Sequence, residues 1–356
     1  MPENVLTFLR HKHDIDTYLL SLLQSKRKAF VAHQFTSSLF EYLELFVQSG
    51  KTVRGSLFLE AVFEFDPDAS LEKYLPVAAG IELIHSSLLI QDDFMDQDDS
   101  RRGMVALHSK EYKHAQQQLF RRPGVYAPSA VMCATDIVFF LAFEQIGSVV
   151  HDAQKVWYFM AQEYAHVGFA QWQDVVFAHE MSQSNKLKEI ENVYKYKTAR
   201  YTFVMPVLAA GLLCGVSENA LKDLEAILES IGMIFQIRDD HLSLFGDEMV
   251  TGKPVGGDVI ENKKTMHRYY FFKALSKLPK KQRTEVSALY GKQALTQQEI
   301  HSIQQLHDEF GVTEIMQKKI DTYIHSIATK TNKLPVSKEF KKQLMVMTRF
   351  VAEREK

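Results

Sequence analysis

The sequence predicts an all-α protein of long helices, and two observations carry that prediction. Glycine (16) and proline (9) are scarce among 356 residues, so tight turns are few. Apolar residues recur at intervals of three and four from Val5 to Leu23 and again from Phe30 to Val47, as amphipathic helices require. A hydrophobic content of 46% is ample for a large core, and a net charge of -2 argues against nucleic acid or an anionic membrane surface as partner. The two cysteines, Cys133 and Cys214, sit far apart in apolar segments and are read as reduced core thiols. Charged side chains interrupt the first residues, so no signal peptide is read there. The apolar run from Tyr201 to Val216 holds a proline and is shorter than the roughly 18 residues of a membrane span. Together these point to a cytoplasmic protein that is not integral to a membrane.

Taken in order, the first two helices end at Ser49-Gly50-Lys51-Thr52-Val53-Arg54-Gly55, which leaves Lys51 and Arg54 on one side of the next turn. A solvated basic loop would look the same. Asp66-Pro67-Asp68-Ala69-Ser70 is a turn, with Ser70 as N-cap of a helix from Leu71. The segment from Phe120 to Pro128 reads as a loop, and helical patterns resume over 129–150 and 153–179. In the second of these, Gly168, Gln171 and Asp174 share a face, as a site or as a satisfied core hydrogen bond. After a loop at 182–185, a lysine-rich helix reaches Lys195, Lys197 and Thr198, and Pro206 predicts a kink. A long helix then runs from Asn219 to Asp240. The segment 246–258 is rich in glycine and long for a connection, hence functional in this reading. Charged amphipathic helices follow, with breaks near Lys277–Pro279 and Lys333–Pro335. No fixed-period repeat or internal domain boundary is visible.

The chemistry is concentrated where helices end in acid. One stripe, Leu71, Leu75, Ala78, Glu82, His85, Leu89, Asp92, Asp96 and Asp99, steps by fours and threes along a single face. It begins apolar and ends in carboxylates, within a segment that holds five aspartates in the eight residues 92–99. Burying unpaired charge costs several kcal/mol, so acid on an inward face implies cations beside it. The helix ending at Asp239 and Asp240 repeats the pattern. Clustered carboxylates suit Mg²⁺, a hard ion that keeps waters for phosphate oxygens to replace. There is no CxxC or HExxH for zinc, no phosphate-binding glycine loop of the nucleotide folds and no GxSxG elbow. Acid on two helices, surrounded by Lys51, Arg54, Arg101, Arg102, Lys197, Lys253, Lys263 and Lys264, describes a diphosphate site.

Six ordered motifs carry a family resemblance. They are Gly50-Lys51-Thr52-Val53-Arg54 (GKxxR), Ile81 to His85, and Asp92-Asp93-Phe94-Met95-Asp96 through Arg101-Arg102-Gly103 (DDxxD…RRG). The others are Gly168, Gln171 and Asp174, then Lys197-Thr198-Ala199 through Pro206, and Phe235 to Thr265 with Asp239-Asp240. The chain resembles a trans-prenyltransferase of the polyprenyl diphosphate synthase family, over about 50–265, with C-terminal helices from 266 to 356. Two positions depart from the pattern. Ser243 stands where the second motif usually has a third acid, with Asp247 nearby as a partial substitute, and Thr135 precedes Asp136 where a glycine is common.

The resemblance implies one domain over 1–356: an all-α bundle of the isoprenoid synthase type around a deep cavity, usually a homodimer. It implies three Mg²⁺ ions, two held by Asp92 and Asp96 and one by Asp239, with Asp240 supporting. Arg101, Lys197 and Lys253, with Lys263 nearby, would bind an allylic diphosphate. Lys51, Arg54, His85 and Arg102 would bind isopentenyl diphosphate. Thr198, Gln236 and the Lys197 carbonyl would face the allylic cation. Chain length would be read at Ile84, Ser87 and Leu88, below the first motif. Aromatic bulk is absent there, so a product of geranylgeranyl length or longer is expected, and Ser87→Phe should shorten it. A terpene cyclase would lack GKxxR and RRG, and a non-catalytic subunit would have lost motif acids.

Overall fold

The computed structural model describes residues 7–150, 153–180, 186–248 and 255–354. Among them all regular structure is helical, apart from one two-residue antiparallel pair. The chain folds as two compact units, Met1–Trp157 with Ala209–Val216, and Tyr158–Leu208 with Ser217–Lys356.

In the first unit a 3-10 turn, Thr7–Leu9, precedes α1 (Lys12–Ala29), α2 (Thr36–Gln48), α3 (Val53–Phe65) and α4 (Leu71–Met95). The strands β1 (Ser100–Arg101) and β2 (Met104–Val105) follow, then α5 (Leu107–Gln117) and α6 (Pro123–Val150). The extensive packing of α4 on α6 rests on small residues. A Cβ on Gly80 would lie 2.6 Å from Ile146 Cγ1 and 2.9 Å from the Ala142 carbonyl, so only glycine permits the approach. Along its middle α4 is buried on nearly every side, including Ala78, Ile81, Ile84 and Ser87. Its amphipathic stripe is therefore broader than the single face predicted.

The second unit holds most of α7 (Gln154–His179), α8 (Leu187–Val193) and a π-helix, Tyr194–Val204. From there α9 (Met205–Leu213) leads onward, and α10 (Glu218–Phe245) is capped by Ser217, whose hydroxyl accepts from the Ala220 N–H. Then come α11 (Gly257–Ile260), α12 (Met266–Leu275), α13 (Lys280–Ser287), α14 (Gln297–Glu309), α15 (Val312–Thr331) and α16 (Lys338–Ala352). The breaks predicted near Pro279 and Pro335 fall between α12 and α13 and between α15 and α16.

Several expectations are corrected. The first helix begins at Lys12 rather than Val5, and residues 1–6 lie outside the described chain. So do the expected loop at 182–185 and residues 249–254 of the glycine-rich segment. Pro123 opens α6 at a position where a missing N–H does no harm, and Pro128 is absorbed inside it, so of the predicted loop only residues 120–122 lie outside a helix. Cys133 is exposed rather than in the core, while burial raises the half-buried Cys214 thiol to about 11. At Pro206, where a kink is expected, a run of π turns gives way to α-helix; proline has no N–H to continue the wide ladder. By length and composition α6 over Pro123–Val149 is apolar enough to cross a membrane, a property that core helices share.

Three histidines from α10, α12 and α14 cluster in the second unit. His241 and His267 lie 5.8 Å apart, and His307 stacks on Phe271 at 4.3 Å. Burial first, then the neighbouring His241, His307 and Arg238, holds His267 well below its ordinary range; burial takes His307 down to about 4, with Asp308 opposing. Both are neutral in the folded state and take up protons on unfolding. The His307 contribution is present above the unfolded value of 6.5 and is lost as pH falls from there toward 4, and His267 acts in the same direction. His307 adds about 1.4 kcal/mol per pH unit in that window. Denaturant melts at pH 7, 6 and 5 should therefore show a steep loss of stability, and His307→Leu should flatten it.

Candidate active site

The first cluster is built at the C-terminus of α4. Asp96 is the C-cap, Gln97 adopts a left-handed φ of 58°, and the Asp98 N–H donates to the Asp93 carbonyl at 2.9 Å. This is a Schellman end made without glycine. It removes Asp98 and Asp99 from the helix, so Asp99 does not share the face of Asp92 and Asp96. Instead Asp99 accepts from the Ser109 hydroxyl at 2.7 Å and ties the segment to α5.

Arg102 and Gly103 both take positive φ, 55° and 77°, which makes the tight turn between β1 and β2. That hairpin folds Arg101 back onto the acids. Its Nε donates to Asp93, and its Nη2 reaches Asp92 at 3.3 Å and Asp98 at 3.4 Å. Asp93 is 1% exposed, and burial lifts its carboxyl to about 6 against the pull of Arg101. Asp92 and Asp96 are only partly buried. Among the acids of this helix end, Asp93 is thus an internal counter-ion, and Asp92 and Asp96 are the accessible pair.

A basic group stands beside them. Thr52, left-handed at φ 47°, starts α3, and a Cβ on Gly55 would lie 2.9 Å from the Ala78 carbonyl. The Gly55 N–H donates at 2.7 Å to Glu82, which is 5% exposed. Burial raises the Glu82 carboxyl, and Arg54 most strongly opposes that shift. Burial first, then Arg54, Arg102 and Arg101, pushes His85 well below its ordinary value, so its ring is neutral. The Arg102 guanidinium lies 5.5 Å over the Phe46 ring and against Gly50, where a Cβ would come within 2.9 Å of Nη1. Lys12 holds the Gly50 carbonyl at 2.8 Å. Sequence reasoning misses both Glu82 and Lys12 as site residues. Glu82 stands in the predicted stripe, whereas nothing in its local pattern marks Lys12.

Below the acids, Ile84 and Ser87 are fully buried and Leu88 is half-buried. Ser87 donates to the Thr135 carbonyl of α6 at 3.1 Å, so it faces a packed helix.

The second cluster lies where the π-helix packs on α10. The Lys197 amine pairs with Asp174 of α7 at 2.6 Å. The Thr198 hydroxyl donates to Gln236 Oε1 at 2.6 Å, and Gln236 Nε2 donates to Asp240 Oδ1 at 2.8 Å. Asp240 is 6% exposed, and burial followed by Asp258 raises its carboxyl well above the ordinary range. Asp239 is half-exposed and pairs with Arg354 at 3.0 Å; the Arg354 guanidinium covers the Phe235 ring at 4.1 Å. Lys263 pairs with Glu261 at 2.7 Å. The Ser243 hydroxyl accepts from the Asp258 N–H at 3.2 Å and its carbonyl from Gly256 at 2.7 Å, so this residue clasps α11 to α10. Lys253 lies outside the described residues. Arg354, far away in sequence, is a further residue that sequence reasoning misses.

Among the described residues no three or more His, Cys, Asp or Glu side chains form a group able to hold a metal ion unaided. Mg²⁺ does not require one, since it binds through one or two carboxylates and completes its shell with water and phosphate. Asp92 and Asp96, oxygen donors one helical turn apart, fit that donor set.

Long helices, acids at two helix ends and a guanidinium-rich turn characterise a protein of all-α type. The sequence matches the polyprenyl synthetase family over residues 36–307. A short chain isoprenyl diphosphate synthase of Methanocaldococcus jannaschii is 30% identical over 244 residues, covering 68% of each chain. A geranylfarnesyl diphosphate synthase of Aeropyrum pernix is 26% identical over 88% of this chain and 93% of that one. In fold, the chain superposes on a geranylgeranyl pyrophosphate synthase from Corynebacterium glutamicum, complexed with isoprenyl diphosphate and magnesium. The TM-score is 0.84, at 24% identity over 98% of both chains. A polyprenyl synthase from Caulobacter crescentus, complexed with calcium and isoprenyl diphosphate, gives 0.77 at 19% identity over 99% of this chain and 98% of that one. The chain belongs to the polyprenyl synthetase family of trans-prenyltransferases and has the isoprenoid synthase fold.

Proposed function

We propose that this chain condenses isopentenyl diphosphate head-to-tail (1′-4) with an allylic diphosphate, in a Mg²⁺-dependent reaction. The observation that supports the reading is the first cluster, where Arg101 bonds Asp92 and where His85 lies in the field of Arg54, Arg102 and Arg101. The metals named with the two superposed synthases support a divalent ion.

Asp92 and Asp96 would hold two Mg²⁺ ions and Asp239 a third, after Arg354 yields its carboxylate. The ions would neutralise charge growing on the departing diphosphate. Both oxygens of Asp240 are engaged internally, so its role is supporting. Lys51, Arg54 and Arg102 bind isopentenyl diphosphate as cations, and neutral His85 adds a hydrogen bond. Arg101, Lys197, Lys253 and Lys263 hold the allylic diphosphate. The allylic C1–O bond breaks, and its electron pair leaves with the diphosphate. The isopentenyl double bond then joins its C4 to that C1, and a C2 proton passes to a diphosphate oxygen. Thr198 and Gln236 stabilise the cation between these events.

Radiolabelled isopentenyl diphosphate offered with geranyl or farnesyl diphosphate should be incorporated with Mg²⁺ and not with excess chelator. No incorporation from any primer overturns the reading, as it would for a non-catalytic subunit.

For the product we propose geranylgeranyl length or more, on the absence of aromatic bulk at Ile84, Ser87 and Leu88. Because Ser87 faces α6, Ser87→Phe must strain the α4–α6 contact by about 1–3 kcal/mol as well as shorten the product. Leu88→Phe is the cleaner probe. It should shorten the main product by about one isoprene unit, a length comparable to one helical turn of about 5.4 Å. Chromatography of dephosphorylated products reads the change, and unchanged length refutes the assignment. We also propose a homodimer, supported by the apolar residues Met132 (66% exposed) and Phe140 (73%) on α6; sedimentation at micromolar concentration tests it.

A further inference from the structure

Asp240 is the end point of a line of hydrogen bonds, all donating toward it. The Met266 N–H, at the start of α12, donates to the Tyr194 phenol oxygen at 2.8 Å. The Tyr194 hydroxyl donates to Asp240 Oδ2. From the other side Thr198 donates to Gln236 Oε1, and Gln236 Nε2 donates to Asp240 Oδ1. Tyr194 is 4% exposed and stands four residues before Thr198 in the same π-helix.

We infer that Tyr194 is a positioning residue for prenyl transfer, locking the Asp240 carboxylate so that Gln236 and Thr198 present electron-rich oxygen to the allylic cation. This rests on the reaction proposed above. A hydroxyl has one proton, and that of Thr198 is committed to Gln236. Its oxygen is left with lone pairs only, an arrangement that attracts a cation. The amide of Gln236 is oriented by the carboxylate, because only its nitrogen can donate there. The two Asp240 oxygens are held from opposite sides, Oδ2 by Tyr194 and Oδ1 by Gln236, so the carboxyl group cannot turn while both bonds stand. Hydrogen bonds in series support one another, so fixing the carboxyl group at one end fixes the Thr198 oxygen at the other. Without the Tyr194 hydroxyl, Asp240 loses a donor at one oxygen and is free to turn. The amide then loses its fixed direction, and the Thr198 proton loses its acceptor. Tyr194 touches no reacting atom in this scheme.

Tyr194→Phe keeps the ring and removes the hydroxyl. The expected result is a fall in kcat of about tenfold, with KM for both diphosphates and the half-saturating Mg²⁺ concentration within about twofold of the unsubstituted enzyme. In a Thr198→Val background the same change should lower kcat by less than about twofold, because the relay already ends short. Losses that multiply, or KM and Mg²⁺ shifts with kcat intact, overturn the inference. Should Tyr194→Phe prove too unstable to purify, Asp240→Asn replaces it in the same cycle, since it keeps the shape and exchanges one oxygen for an amide nitrogen that cannot accept. A readout apart from activity is the melting temperature. Tyr194→Phe should lower it, and much less so in an Asp240→Asn background; equal lowering in both breaks the link. If the unsubstituted enzyme incorporates no isopentenyl diphosphate, the proposed reaction has failed, while the melting comparison still decides whether the link exists.

Discussion

Asp92→Ala is expected to lower kcat for condensation by about 10³, or roughly 4 kcal/mol of lost stabilisation as the diphosphate departs. The melting temperature should barely move, because Asp92 is partly exposed at a helix end and Arg101 keeps its bonds to Asp93 and Asp98. Asp93→Ala should behave in the opposite way. It removes the buried partner of Arg101 and leaves that guanidinium to weaker contacts at its Nη2, at a stability cost of about 3 kcal/mol. Steady-state rates beside denaturant melts for the two variants read the contrast. Equal losses of stability would show that the two adjacent aspartates are not divided as described.

Gly232→Val should leave little soluble folded protein. A Cβ at Gly232 would overlap Ala199 Cα and fall 2.5 Å from Ala199 Cβ, backbone as much as side chain. That contact is where α10 meets the π-helix, and neither partner has a flexible end to move. Overpacking of this kind costs about 3 kcal/mol or more. Nearby, Arg200 is bonded to Glu163 at 2.6 Å and to Glu225 at 2.6 Å, so the π-helix is also pinned by charge and cannot slide away. The soluble fraction and the melting temperature of Gly232→Val measure the effect. The comparison is Gly124→Val, in the first turn of α6, where a Cβ would meet no atom within 4 Å.

The parts legible in the sequence are those that a helix carries at fixed spacing. Asp92 and Asp96 are one turn apart whatever surrounds them, and Gln236 and Asp240 likewise. What spacing does not reveal depends on departures from it. Counting by fours and threes puts Asp99 on the α4 face because nothing like glycine marks the helix end; Gln97 makes the left-handed turn that a glycine usually makes. The π-helix is invisible because apolar periodicity does not separate wide turns from ordinary ones, and only Pro206 hints at a change. Ser87 reads as open space below the motif, whereas the small residue is there so that α6 can approach. Arg354 meets Asp239 across 115 residues, a proximity that only the fold creates. Ser243 reads as a missing acid, yet it has a positive role as the clasp of α11.

The end of α4 has a consequence for how this protein would respond to its ions. The aligned peptide dipoles of a helix leave its C-terminal end with the equivalent of about half a negative charge, even where turns such as this one bond its last carbonyls. Asp92, Asp93 and Asp96 are all in that last turn, set against the field of their own helix. Each acid there gives up about 0.3–1 kcal/mol, and any cation that arrives recovers the same interaction with the opposite sign. Arg101 offsets part of that cost, and on the function proposed above a bound cation would offset the rest. Heating the protein with Mg²⁺ and inorganic diphosphate should accordingly raise its melting temperature more than either alone, the mass-action signature of cation and anion bound together by the folded state.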